Sequence, residues 1–112
     1  MSRRAWTRQL APAAAPERDL QRDAEAWLKG LVDVGLVRAW YHRPDLKPKR
    51  SEKAGLPDLI IALPGDVVAV ELKTAKGKVT LEQAIWLASF RRSAVCRSLA
   101  EFQSQLRAWG VG

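Results

Sequence analysis

GLPDLIIALPGDVVAVELK, residues 55–73, decides how this chain folds. Two short apolar runs, Asp58–Leu63 and Asp66–Lys73, flank Pro64-Gly65, and both alternate with period two. That pattern predicts a β-hairpin. Pro followed by Gly suits the two central positions of a type II turn, although tight hairpins more often use the primed types. If Leu63 faces Asp66, then Ala62 faces Val67, Ile60 faces Ala69 and Asp58 faces Glu71. A one-residue slip would change which faces meet. In this register Asp58 and Glu71 share one face of the sheet, with Cβ atoms roughly 5 Å apart. Lys73, two residues on, lies on that face too.

Side-by-side carboxylates repel each other, and a lone carboxylate in an aliphatic strand loses hydration. A divalent cation between them would offset both penalties, and a hard ion such as Mg2+ takes oxygen ligands. Lys73 would then stand beside the ion's waters, which is equipment for metal-assisted phosphodiester hydrolysis. The plainer reading is a surface hairpin in which Glu71 and Lys73 form an ordinary ion pair. Strands this aliphatic, in a strongly basic chain, favour the first reading.

The rest of the chain supplies the setting. Its 112 residues make one small domain. Nineteen Lys and Arg against twelve Asp and Glu leave a net charge of +7, which points to a polyanionic partner, nucleic acid first. No apolar run approaches a membrane span. No helix pattern combines a continuous basic face with a bulky apolar one. Arg3 and Arg4 are not followed by a signal-like apolar core. The single cysteine, Cys96, fits a reducing cytoplasm and reads as core filler within a short apolar strand. There is no zinc-ligand cluster, phosphate-binding glycine loop or Ser-His-Asp set.

Residues 1–16 read as a mobile basic Ala/Pro-rich arm, with Trp6 the exception, and residues 17–112 as the folded domain. Glu17 to Val34 predicts a helix with the apolar stripe Leu20, Ala24, Trp27, Leu28 and Leu31, stopped by Gly35. Glu25 lies on the border of that stripe. Leu36 to His42 predicts a strand, and the lone His42 at its end reads as structural or a surface contact. Residues 43–54, RPDLKPKRSEKA, form a basic loop entering the Pro57-Asp58 step. Arg43, Lys47, Lys49, Arg50 and Lys53 there suit contact with a phosphate backbone, as do Lys76 and Lys78 after Lys73. Thr80 caps the next helix, with Gln83 at the third position of a capping box. That helix runs to about Phe90, with Ile85, Trp86 and Phe90 as buried candidates. A strand at Ser93–Cys96 and a helix from Leu99 to Trp109, with Phe102, Leu106 and Trp109 on one face, complete the order α-β-β-β-α-β-α. This is an α/β fold with a mixed four-stranded sheet flanked by helices, the crossover helix making its two strands parallel.

Pro57-Asp58 followed by Glu71-Leu72-Lys73 resembles the PD-(D/E)xK nuclease superfamily, whose core is restriction-endonuclease-like. The fuller set Gly55-Leu56-Pro57-Asp58, Glu71-Leu72-Lys73, Gly77, Thr80 and Gln83, with Glu25 on the first helix ahead of Gly35, resembles its VRR-NUC branch. The resemblance covers roughly Leu20 to the C-terminus. It implies a Mg2+- or Mn2+-dependent DNA endonuclease with Asp58, Glu71 and the Leu72 carbonyl on the metal. Glu25 would bind the metal directly or through water, with Glu17 its substitute. Lys73 would orient the attacking water, and Gln83 would support the site. The branch is associated with viral replication and repair, and with branched or flapped DNA. Such a small domain covers little of a duplex, which leaves room for a homodimer presenting two sites. The alternative is a DNA-binding module on a nuclease-like scaffold that does not turn over.

Overall fold

The computed structural model describes residues 15–43 and 55–111. Helix α1 (Ala15–Asp33) is followed by β1 (Ala39–His42), β2 (Leu59–Leu63), β3 (Asp66–Leu72), α2 (Leu81–Ala88), β4 (Arg92–Cys96) and α3 (Leu99–Ala108). This is the expected order. The sheet runs β1-β2-β3-β4, antiparallel at the first two junctions and parallel between β3 and β4. Among the described residues no helix is long and apolar enough to cross a membrane.

The hairpin has the expected register. Leu63 faces Asp66, Ala62 faces Val67 and Ile60 faces Ala69. Gly65 at the turn has φ +86°, the value the second central residue of a type II turn needs and that a side chain resists. Alternation then sorts the strands into two faces. Leu59, Ile61, Val68, Val70 and Leu72 are fully buried on one side with Ala24 and Leu28 of α1 and Phe102 and Leu106 of α3. Trp27 meets Phe102 edge-on, 5.7 Å between ring centroids, and Arg107 lies 5.9 Å from the Trp27 ring, so aromatic and cation–π contacts add to the burial there. Ala69 and Glu71 point to the other side, where α2 packs across β3 and β4.

Several boundaries shift. Helix α1 starts at Ala15 rather than Glu17, because Pro16 is acceptable in a first turn, where no N–H partner is required. It ends as expected: the Gly35 and Leu36 amides donate back to the Val32 and Leu31 carbonyls, a Schellman closure. That closure uses Leu36, and Val37 also donates to Leu31. Strand β1 is therefore only four residues long rather than seven.

One expectation about α2 is overturned. Ile85 and Trp86 are exposed, at 59% and 36%, and Phe90 is only half-buried; the buried residues are Gln83 and Leu87. The reason is rotational. Gln83 must face Glu71, so Leu87, one turn on, faces the sheet too, while Ile85 lies roughly 200° around the helix. A helix of eight residues has only one such stripe to bury.

The candidate active site

The carboxylate pair sits at the end of the hairpin farthest from its turn. Asp58 immediately precedes β2, and Glu71 is the penultimate residue of β3. Both are buried, with 4% and 1% of their surface exposed. Their side chains continue the ladder past its last backbone pair, Leu59 with Val70. The Asp58 amide donates to Glu71 Oε1 at 3.3 Å, and the Leu72 amide donates to Asp58 Oδ2 at 2.9 Å. Each acid thereby clamps the opposite strand.

Three further side chains complete the group. Lys73 Nζ lies 3.6 Å from Glu71 Oε2, with only 13% of its side chain exposed. Gln83 Nε2 donates to the same oxygen at 2.9 Å. Arg43 Nη2 donates to Asp58 Oδ1 at 3.2 Å, and the Arg43 amide donates to the Asp58 carbonyl at 2.9 Å. Local sequence explains each placement. Thr80 caps α2 by accepting from the Gln83 amide, and Gln83 Oε1 accepts from the Thr80 amide at 2.9 Å. The amide end of Gln83 is left over for Glu71, so one side chain closes the capping box and joins the site. Gly55, with φ +83°, lies so close to the first turn of α2 that a Cβ there would sit 2.4 Å from the Glu82 carbonyl carbon. Only glycine permits that approach, which locks the Pro57-Asp58 step to the helix carrying Gln83.

Burial governs the electrostatics. Desolvation, and then repulsion from Asp58, push the Glu71 carboxyl up from its ordinary 4.5 to about 7, against the pull of Lys73, Arg43 and the Asp58 amide. Cys96 is buried in the α1/α3 core, as expected of filler, and burial raises its thiol to about 11. A thiol held protonated is no nucleophile.

The structure brings together Asp58, Glu71, Lys73, Gln83 and Arg43. Glu25 makes no hydrogen bond to this group: its Oε1 accepts from the Trp40 indole at 3.0 Å and its Oε2 from Gln21 at 3.4 Å. Trp40 belongs to the α1 side of β1. Among the described residues no three acidic, His or Cys side chains converge on one point. His42 ends β1, exposed, opposite Leu59. Lys76 and Lys78 are exposed in the turn after Lys73. Lys47, Lys49, Arg50 and Lys53 fall outside the described residues, as does nearly all of the arm.

Two participants escaped the sequence reading. Arg97 Nη1 donates to the Thr74 and Gly77 carbonyls at 2.7 and 2.6 Å, bracing the turn behind Lys73. Its signal was the parallel pairing of Leu72 with Cys96, which is not visible before β3 and β4 are aligned. The sequence suggests Arg43 for contact with a DNA backbone, whereas the structure makes it a partner of Asp58.

The donor set suits a hard divalent cation. It offers two carboxylates with four oxygens close together, and neither sulfur nor imidazole. The Leu72 carbonyl points, like its N–H, toward Asp58, since both groups of a strand residue project to the same side. The VRR-NUC domain family model matches residues 5–101. No curated protein and no solved structure matches the chain.

Proposed function

The chain belongs to the VRR-NUC family, so it is a nuclease-like module acting on DNA, and on that premise we propose that it is a metal-dependent endonuclease selective for DNA structure. The observation that carries the reading is the reciprocal hydrogen bonding of buried Asp58 and Glu71, with Lys73 and Gln83 on the same carboxylate. Burying two acids this way costs stability; a hydrolytic site gives the arrangement a purpose.

Asp58, Glu71 and the Leu72 carbonyl would hold Mg2+ or Mn2+, and Glu25 would join through water or a side-chain movement. Such an ion, when bound, supplies charge for the scissile phosphate and acidifies water. The protein's own part follows from its contacts. Lys73, held against Glu71 and backed by Gly77, orients the attacking water and meets the charge that develops on the phosphate. Gln83 fixes the Glu71 rotamer. The exposed Lys76 and Lys78, with Lys47, Lys49, Arg50 and Lys53, track the phosphate backbone. The sequence carries no recognisable base-reading element, so selectivity falls on shape, in branched, flapped or junction DNA of replication or repair.

The test is a labelled panel of single-stranded, duplex, flapped and four-way-junction DNA, incubated with Mg2+, Mn2+ or EDTA. Asp58→Asn runs beside the wild type. Cutting by the wild type alone, abolished by EDTA and strongest on a branched substrate, is expected. Equal cutting by Asp58→Asn, or tight DNA binding with no cutting under any metal, would overturn the proposal; the second outcome would favour a binding module.

A further inference from the structure

All four oxygens of the Asp58–Glu71 pair already accept from protein donors. Asp58 Oδ2 and Glu71 Oε1 hold backbone amides. Glu71 Oε2 holds Gln83, itself tied into the cap of α2, and Lys73. Asp58 Oδ1 holds Arg43. Each carboxylate oxygen keeps a second lone pair, so a neutral donor can stay while a cation binds beside it; a positively charged donor on the same oxygen repels that cation and is the one that must yield. The amides cannot move without opening the ladder, and Gln83 cannot without uncapping α2. Lys73 is boxed in by Gly77 at 13% exposure.

Arg43 differs on every count. Its side chain is 32% exposed. Its second contact, to the Leu56 carbonyl, is long at 3.4 Å. Its backbone is pinned to Asp58 through its amide, so a guanidinium released from Oδ1 would pivot about a point fixed beside the site. A guanidinium also matches a phosphate as well as it matches a carboxylate.

We propose that Arg43 is a displaceable counterion of Asp58, which yields Oδ1 to the metal and then grips the DNA phosphate, so that metal and DNA each favour the other's binding. This rests on the metal reading above. Two cations contending for one oxygen weaken each other, and a DNA phosphate that draws Arg43 away relieves the contest. Linkage makes that coupling reciprocal. A fixed structural clamp would behave in the opposite way, because removing it would loosen Asp58 and weaken metal binding.

The test uses the full chain stripped with EDTA. Mn2+ affinity is measured by calorimetry and by the electron paramagnetic resonance of free Mn2+, for wild type, Arg43→Gln and Arg91→Gln. Arg91 is an exposed cation beside β4's start, at the opposite end of the sheet, and controls for net charge. Arg43→Gln is expected to bind Mn2+ about three- to tenfold more tightly, the scale of a charged hydrogen bond partly open to solvent. Arg91→Gln should match the wild type. In a second arm, fluorescence anisotropy reads affinity for a junction DNA with Ca2+ or with EDTA. Ca2+ should strengthen wild-type binding by about fivefold or more and binding by Arg43→Gln by less than about twofold.

Unchanged or weaker Mn2+ binding by Arg43→Gln, equal tightening by Arg91→Gln, or undiminished coupling overturns the proposal while leaving the metal reading intact. Failure of the wild type to bind Mn2+ overturns both. If Arg43→Gln does not fold, Arg43→Lys, which replaces a planar fork with a point donor, should tighten Mn2+ binding by a smaller factor, and no tightening refutes the idea equally.

Discussion

Replacing Glu71 with Gln should change how stability responds to pH, and by an amount the structure sets. Burial and Asp58 raise the Glu71 carboxyl from 4.5 to about 7 in the folded chain. The folded state therefore holds this proton more tightly than the unfolded state does. Its contribution is fully present below the unfolded value and is lost as pH rises through the folded one. Between pH 5 and pH 8 those two values imply a loss of about 2–3 kcal/mol in the wild type. Glu71→Gln has no proton to lose, so its stability should lack this component. Its absolute stability is a poorer readout. One end of the new amide must set a donor against either Gln83 Nε2 or the Asp58 amide, at a cost of about 1–3 kcal/mol. That offset does not vary with pH and drops out of the slope. Urea unfolding in EDTA across pH 5–8 measures the slope, and urea leaves ionic strength alone. The wild-type midpoint should fall by about 1–2 M relative to that of Glu71→Gln. Groups that do not interact with Glu71 are common to both proteins and cancel. Parallel pH curves would refute the argument, because they would mean that Glu71 is not desolvated by this fold.

Gly55→Ala should destabilise the chain by about 2–5 kcal/mol, combining a left-handed backbone with overpacking against Glu82; urea unfolding measures it, and a change under about 1 kcal/mol would mean that Gly55 does not touch α2. Gln83→Leu should cost about 1–3 kcal/mol, since the Thr80 amide loses its acceptor and Glu71 Oε2 loses a donor. Its cleavage should fall further than the stability loss explains, checked by rate measurements at a temperature where both proteins are folded.

The hairpin was legible because its pattern is local. Period-two alternation on either side of Pro64-Gly65 admits few registers, and one of them stacks Asp58 on Glu71. The apolar stripes of α1 and α3 were legible for the same reason: Leu28, Phe102 and Leu106 are fully buried where their spacing put them. The outward rotation of Ile85 and Trp86 was not legible. Hydrophobicity alone ranks those two above Gln83 for burial, and only the bond from Gln83 to Glu71, twelve residues away, reverses the order. Contacts between distant segments were hidden altogether: Arg97 on the turn behind Lys73, Arg43 on Asp58, and Glu25 on Trp40. Each depends on strand order rather than on sequence spacing.

The reciprocal bonds between Asp58 and β3 also decide which substitution tests chemistry and which merely tests folding. Asp58 Oδ2 is the acceptor for a buried backbone amide, that of Leu72. Asp58→Ala removes the acceptor and strands the amide, costing about 1–3 kcal/mol in a 112-residue domain, so lost cleavage in that variant is ambiguous. Asp58→Asn keeps an oxygen for Leu72. Its new NH2 group meets the Arg43 guanidinium, donor against donor, but Arg43 is part-exposed and can turn to water. Removing the Asp58 charge also lifts one of the two causes that raise Glu71, which returns some stability near neutral pH. Asp58→Asn should therefore melt close to the wild type and show no cleavage. An Asn variant that unfolds with Asp58→Ala would mean that the Asp58 charge, rather than its hydrogen bond to Leu72, holds the end of the hairpin together.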